Sequence, residues 1–421
     1  MKLLLISLLL IGIGFSTVWA AAQQPVTVTY ASLNRLILNK NGAVLSAQAN
    51  ILTAKSRTGY LDRISAPQLS ASLGTESFIT GGGGPYLHPF ASADLSINLF
   101  QSESNIQEEN IRQAQVTLSR VQSNSVYKTT LIQAQSLYWE IVQFSELMKK
   151  VRQVIALNDK TRNAANLRFQ RGLLTRTDVL GFDLYKDVLE EKLESLSHER
   201  HILMMTFKSL LGLSDSTPVN LGHTKTPYTP NDTWLKSPIT VKHHPEILEL
   251  EVNKRITDLQ KRKLEGETQP TAELFGTLAL YTLRDREFSN LSERIDVAGG
   301  VRVQIPIWDG AQNSAEVAVA ENQRKSMSQL LAYQNTALST HLKTMQEELI
   351  HLDELIHRSE KRLQQSKVFL NSMLDDYDRG VKSAGEVLGT VQGYMSSLEE
   401  DTQRRKNYQK SRLRLVMWSR Q

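Results

Sequence analysis

The chain has 421 residues, no cysteine, and 49 Lys and Arg against 44 Asp and Glu, for a net charge of +5. Without cysteine there is no disulfide, thiolate metal site, cysteine nucleophile or lipidated N-terminal cysteine. The basic excess is small and the two signs are interspersed, so no clustered basic face of the kind that nucleic acid requires is present.

Residues 1–22 carry Lys2, an apolar run from Leu3 to Phe15 and the small residues Ala20, Ala21 and Ala22. This reads as a secretory signal peptide and is excluded from the fold. No later stretch approaches the roughly 18 uninterrupted apolar residues of a membrane helix. The mature chain is therefore expected to be exported and to lack a helical anchor.

Two repeats follow, at 23–213 and 239–421, with a Pro-, Thr- and Asn-rich linker between them at 214–238. Leu95, Ile97, Leu99 and Phe100 stand 208 residues before Val303, Ile305, Ile307 and Trp308. The same offset relates Phe169-Gln-Arg171-Gly172 to Tyr377-Asp-Arg379-Gly380, and Asp178-Val179-Leu180 to Glu386-Val387-Leu388. A constant offset over this length makes the spacing structural.

Each repeat opens with a helical segment, Ala31 to Ala54 in the first, and continues into two alternating segments. These lie at about 67–79 and 90–100, then at about 270–284 and 294–307. Leu69, Ala71 and Leu73 alternate with Gln68, Ser70 and Ser72, and the other three segments do likewise. Each is long enough for a tilted membrane strand of about 9 to 11 residues. Tyr86, Phe90, Phe100, Tyr281, Phe288 and Trp308 suit an interfacial girdle, with hairpin loops at Gly81–Pro89 and Arg284–Glu293. The plainer alternative is a small soluble sheet with aromatics at its rim.

Neither Gly nor Pro occurs from Gln101 to Gln170 or from Ala311 to Arg379. A helix of about 70 residues is about 100 Å long and needs a partner along its length. Leu137, Ile141, Phe144, Met148, Val151 and Ile155 step by 4 and 3, as coiled-coil seams do. Leu331, Leu338, Met345 and Leu352, interleaved with Leu342, Leu349, Ile356, Leu363 and Leu370, repeat the seam. Each ascending helix should turn at Arg171-Gly172 or Arg379-Gly380, where Gly accepts positive φ, and a return helix follows.

Four strands cannot close a barrel, since the smallest filled barrels have about eight. An open sheet edge in lipid is forbidden, so several copies must supply the strands. Here the residues resemble the TolC family of outer-membrane efflux proteins. The resemblance rests on the strand pairs, on Ile305-Pro306-Ile307-Trp308-Asp309-Gly310 leading into a long helix, on Tyr377-Asp-Arg-Gly380, and on Lys242-His-His-Pro245-Glu246 before the second opening helix. The first repeat departs from the family in having Asn98-Leu-Phe-Gln101-Ser102 at its strand-to-helix bend.

The resemblance implies a mainly α fold with a β-barrel part: three chains forming a 12-stranded barrel in the outer membrane, continued by a periplasmic helical tunnel. It implies outer-membrane lipid, a homotrimer, a periplasmic adaptor and an inner-membrane transporter as partners. By the same resemblance Glu386 projects into the tunnel mouth as a carboxylate ring, with Gly389 where the family has a second acidic position. Asp178, Tyr377 and Lys382 are expected to form gate contacts between neighbouring tip helices. Arg171, Gly172, Arg379 and Gly380 form the tip turns that meet the adaptor.

Gly385, Gly389 and Gly393 recur on one helical face, where close approach of another helix or a flexing bend would explain them. No hydrolase elbow, phosphate loop or metal-ligand spacing is present, so neither a catalytic residue nor a cofactor is expected. His243-His244 reads as a solvated pair, and His351 and His357 lie on different faces. The expected function is a passive duct of a tripartite efflux or type I secretion system. The alternative is a periplasmic coiled-coil adaptor, which has one hairpin and no need of membrane-facing strands.

Overall fold

The computed structural model describes residues 25–78, 86–100, 102–222, 240–284 and 291–419. The signal segment lies outside them, as do Phe288, the tip residues of both strand hairpins and most of the linker.

The chain begins with β1 (Val26–Val28), α1 (Leu33–Lys40), α2 (Gly42–Ser56) and α3 (Tyr60–Ser65). The first opening helix is thus broken at Asn41, where a single helix was expected. Asn41 caps α2 by accepting the Val44 N–H at 3.0 Å and donates to the Leu210 carbonyl at 2.7 Å. Glu109, buried on the first long helix, accepts the N–H groups of Gly59 and Tyr60 at the start of α3. These bonds outweigh the burial that would raise its pKa and hold it below the usual carboxylate range.

Then come β2 (Gln68–Phe78), β3 (Tyr86–Asn98), α4 (Glu103–Gln170) and α5 (Arg176–Leu210). A short strand β4 (Val219–Leu221) lies inside the linker read from sequence as irregular, and pairs in parallel with β1. The second half holds α6 (Pro245–Gly266), β5 (Thr271–Arg284), β6 (Leu291–Gln304), α7 (Gln312–Asp378) and α8 (Ala384–Ser419). α4 and α7 have 68 and 67 residues, so each is about 100 Å long.

Both helix pairs bury the seams. Ile141, Met148 and Val151 of α4 are buried, as are Leu338, Leu342, Leu349, Ile356 and Leu370 of α7. α4 pairs with α5 and α7 with α8, and the two pairs meet through α8, which packs on both α4 and α5.

The four long strands form one antiparallel sheet in the order β2-β3-β5-β6. The strands that lead into long helices, β3 and β6, end two and three residues before expectation. Leu99 and Phe100 follow β3, and Ile305 and Ile307 follow β6, where Pro306 has no N–H to donate to a ladder. Ser102 then caps α4, and Asp309 accepts the N–H groups of Ala311 and Asn313 ahead of α7.

Register aligns the apolar positions across all four strands. Leu73, Ala91, Leu280 and Ile295 form one row, and Ala71, Ala93, Leu278 and Val297 the next. Leu69, Leu95, Gly276 and Gly299 make a third row, and Ile97, Leu274 and Val301 a fourth. The opposite face is largely polar, with Ser70, Ser72, Ser92, Asp94 and the Arg302–Glu273 ion pair at 2.7 Å.

Phe90 falls on that opposite face, with its ring across Gly74 of the paired strand, and so does not belong to the expected girdle. Phe100 and Trp308 are exposed, Trp308 by 86%.

Candidate functional site

The far end of the helices, away from the sheet, carries the predicted site residues. α4 ends in a turn in which Gly172, at φ 74°, donates to the Phe169 carbonyl and Leu173 donates to Arg168, each at 2.9 Å. α7 ends the same way: Gly380, at φ 81°, donates to Tyr377 and Val381 donates to Asp376, again at 2.9 Å. This pair of bonds satisfies the helix's last carbonyls and requires a left-handed residue, which Gly supplies without Cβ strain. Arg171 and Arg379 sit exposed on the two turns.

The return helices start alike too. Thr175 Oγ1 accepts the Asp178 N–H at 3.3 Å, while the Asp178 carboxylate accepts the Thr175 N–H at 3.0 Å. At α8, Ser383 Oγ accepts the Glu386 N–H at 3.3 Å and the Glu386 carboxylate accepts the Ser383 N–H at 3.0 Å. Both are reciprocal capping boxes. Their signatures, Thr-x-x-Asp and Ser-x-x-Glu ahead of an apolar run, are legible in the sequence, and the reading that treated Asp178 and Glu386 only as gate and constriction residues missed them.

Glu386 has a second partner, Lys382 Nζ, at 2.8 Å. That bond and those from Ser383 hold its carboxyl down to about 2. Within one copy, then, the carboxylate is held at the helix start and its charge is balanced by Lys382. Asp178 likewise bonds into its own helix start.

Tyr377 is fully buried. Its ring meets Phe182 edge-on, with centroids 6.0 Å apart, and lies 4.9 Å beneath the Arg168 guanidinium. Among the described residues its hydroxyl has no hydrogen-bond partner. Burial raises the hydroxyl's pKa, with Asp178 and Asp378 adding to the rise and Arg168 opposing it. A gate contact between neighbouring tip helices was expected here; within one copy Tyr377 packs against Phe182 and Arg168. Arg168 itself was not singled out from sequence.

Gly385, Gly389 and Gly393 face open space within the chain, since a Cβ at any of them would meet nothing within 4 Å. The close helix approach expected for this run occurs instead at Gly181 of α5, where a Cβ would stand 2.9 Å from Leu388 Cδ1.

The expectation of a solvated histidine pair holds for His243, which is exposed, and fails for His244. His244 is only 7% exposed, its Nδ1 accepts the Glu246 N–H at the start of α6, and its ring lies against Trp418 at 5.0 Å. Burial, together with Lys128 and His341, lowers its pKa against the raising effect of Glu246. Among the described residues no group of three or more His, Cys, Asp or Glu has metal-binding geometry, and no helix is long and apolar enough to cross a membrane.

No protein-family model matches the sequence, and no curated protein matches it. Solved structures do. The outer membrane protein VceC from Vibrio cholerae superposes with a TM-score of 0.74 at 13% identity, over 92% of this chain and 95% of that one. The Campylobacter jejuni CmeC outer membrane channel gives 0.73 at 13% identity, over 92% and 85%. CusC, whose structures describe folding and transmembrane channel formation, gives 0.74 at 13% identity, over 93% and 92%. At 13% identity the likeness is one of fold, and it extends over 92 to 93% of this chain. The chain has the fold of these outer-membrane channels.

Proposed function

We propose that this protein is one subunit of an outer-membrane export duct, a passive channel and not an enzyme, in the cell envelope of a Gram-negative bacterium. The observation that carries the reading is the apolar face running unbroken across β2, β3, β5 and β6. Leu73, Val297 and Ile295 are exposed by 85, 77 and 64% on this face. Each such side chain forgoes about 1.5–3 kcal/mol in water, and a patch this size marks contact with lipid or protein.

The sheet also has two open edges, β2 and β6. Neighbouring strands within the sheet all run antiparallel, so β6 of one copy and β2 of the next continue the alternation without a break. Three copies close a barrel of 12 strands, as the resemblance to the TolC family implies, and outer-membrane lipid covers the apolar face. The helices repeat the logic. α5 exposes Leu180, Leu184 and Val188, and α7 exposes Val368 and Phe369, which adjoining copies would cover.

The helices then form a periplasmic tunnel whose tips, at Arg171-Gly172 and Arg379-Gly380, meet a periplasmic adaptor that in turn binds an inner-membrane transporter. The constriction is proposed at Glu386, ringed three times, with Lys382 beside each carboxylate. Asp178 and Tyr377 act at the gate with it. The open face of Gly385, Gly389 and Gly393 lets α8 flex against a neighbour.

Planar-bilayer recording on the detergent-purified, unheated protein tests this reading, with fractionation alongside. The duct should stay with outer membranes through a salt wash and give small conductance steps. Glu386→Gln removes the carboxylate hydrogen-bonded to Lys382, so selectivity should move toward anions. A conducting wild type with an unmoved mutant would remove Glu386 from the constriction, and a silent, salt-extractable protein would sink the duct. Gly385→Ala with Gly393→Ala should reduce opening in the same recordings.

A further inference from the structure

Lys128, on α4, is a buried cation without a counter-charge. Only 9% of it is exposed, and among the described residues it has neither an ion pair nor a hydrogen bond. Its Nζ stands 5.7 Å from the centre of the Trp418 ring. Burial lowers its pKa and no carboxylate raises it. A ring face returns only part of the hydration that a buried ammonium loses, so such a group ordinarily has an anionic partner.

Trp418 also lines a cavity of about 390 Å³ where α4, α6, α7 and α8 meet. The hydroxyls of Ser125, Thr129 and Ser411 line it too, with the guanidinium of Arg414, which has no ion pair or hydrogen bond among the described residues. His244 adds a directed donor. Because its Nδ1 accepts the Glu246 N–H, the neutral ring carries its proton on Nε2, which has no partner among the described residues. α6 begins here at Pro245, so the positive end of its dipole adds to the field. Glu246 and Glu348 lie on the rim, both exposed, and neither is paired with Lys128 or Arg414.

We propose that this cavity holds a small oxyanion, a carboxylate or a phosphate, between Lys128 and Arg414, with His244 Nε2–H and the neighbouring hydroxyls completing its shell. Lys128 lies about 38 Å along α4 from the end that joins the sheet. With the sheet in the membrane, as proposed above, that distance puts lipid headgroups out of reach and makes the ligand a dissolved one. The site itself is a property of one chain and does not depend on the duct. α4 comes from the first repeat and α6, α7 and α8 from the second, so an anion here joins the two halves. A ligand bound only by the folded chain stabilises it by mass action.

The test is equilibrium dialysis of radiolabelled inorganic phosphate against full-length wild type, Lys128→Met and Arg414→Gln in non-ionic detergent at fixed ionic strength. Thermal unfolding of the same samples accompanies it. Wild type should bind phosphate saturably, and its Tm should rise with phosphate and not with chloride. Loss of a charge-assisted bond corresponds to about tenfold or more in affinity, so each variant should bind at least that much more weakly. Without phosphate, Lys128→Met should melt above wild type, because an unpaired buried charge has been removed.

Uptake that never saturates, or saturable binding that Lys128→Met leaves unchanged, overturns the proposal. If Lys128→Met fails to fold, the exposed Arg414→Gln decides: weaker phosphate binding supports the site, and wild-type binding overturns it. Acetate and glycerol phosphate as competitors then separate a carboxylate from a phosphate ligand. Displacement by phosphatidylglycerol micelles as strong as by free glycerol phosphate would identify a lipid headgroup and overturn the assignment to a dissolved anion.

Discussion

The two hairpin tips have the same backbone and different side chains. In each, the glycine turn makes the same two bonds at 2.9 Å, and the return helix begins in the same capping box. Around those bonds the first tip exposes Phe169 and buries Phe182, while the second buries Tyr377 and leaves Thr390, the counterpart of Phe182, only partly buried. Backbone hydrogen bonds are set by local geometry and are copied with the repeat. Side chains are set by what each helix packs against, and α5 and α8 have different neighbours. Duplicated chain thus gives equal turns and unequal surfaces.

Substitution at the buried ring breaks this comparison most severely. Phe182→Ala should cost about 3–5 kcal/mol in a denaturation series on the detergent-solubilised protein, whereas Thr390→Ala should stay within about 0.5. Equal losses would show that the two tips are packed alike after all. Smaller and symmetric effects are expected at the turns. Gly172→Ala and Gly380→Ala should each cost about 1–2 kcal/mol, because a Cβ at positive φ is strained whatever surrounds it. A clear inequality would reveal that a partner holds one turn.

The smallest effect concerns pH. Glu386 titrates below its ordinary value of 4.5, so the cap it forms is fully present above that value and is lost as pH falls toward about 2. Ion selectivity should therefore stay flat from pH 7 to about 4 and change only in stronger acid. Titration of selectivity near 5 would mean that Lys382 does not hold the carboxylate in the assembled duct.

Much of the fold is legible in the residues. The repeat offset, the long uninterrupted helices, their seams and the glycine turns follow from local rules, because a helix seam and a positive-φ turn both leave periodic marks. The strand ends were less legible. Alternation ran on through Leu99 and Ile307, and only the loss of pairing beside Pro306 stops β6 at Gln304. The break at Asn41 escaped notice as well, since it depends on a bond to the Leu210 carbonyl of a helix 169 residues away. At the tips the capping boxes were written in the sequence as Thr175-x-x-Asp178 and Ser383-x-x-Glu386, and went unread because the same carboxylates matched a gate.

Sequence alone determined the two-fold repeat, the apolar and polar faces of each strand and the places where the helices turn. Each depends on residues near one another in the chain. Tertiary structure decided which side chains the repeat uses differently: Arg168 on the carbonyls of Tyr377 and Asp378, Tyr377 in the core, His244 under Trp418, and Gly181 as the close contact with Leu388. These pairings join segments far apart along the chain, and no local pattern encodes which of two equivalent positions will meet a neighbour and which will face open space.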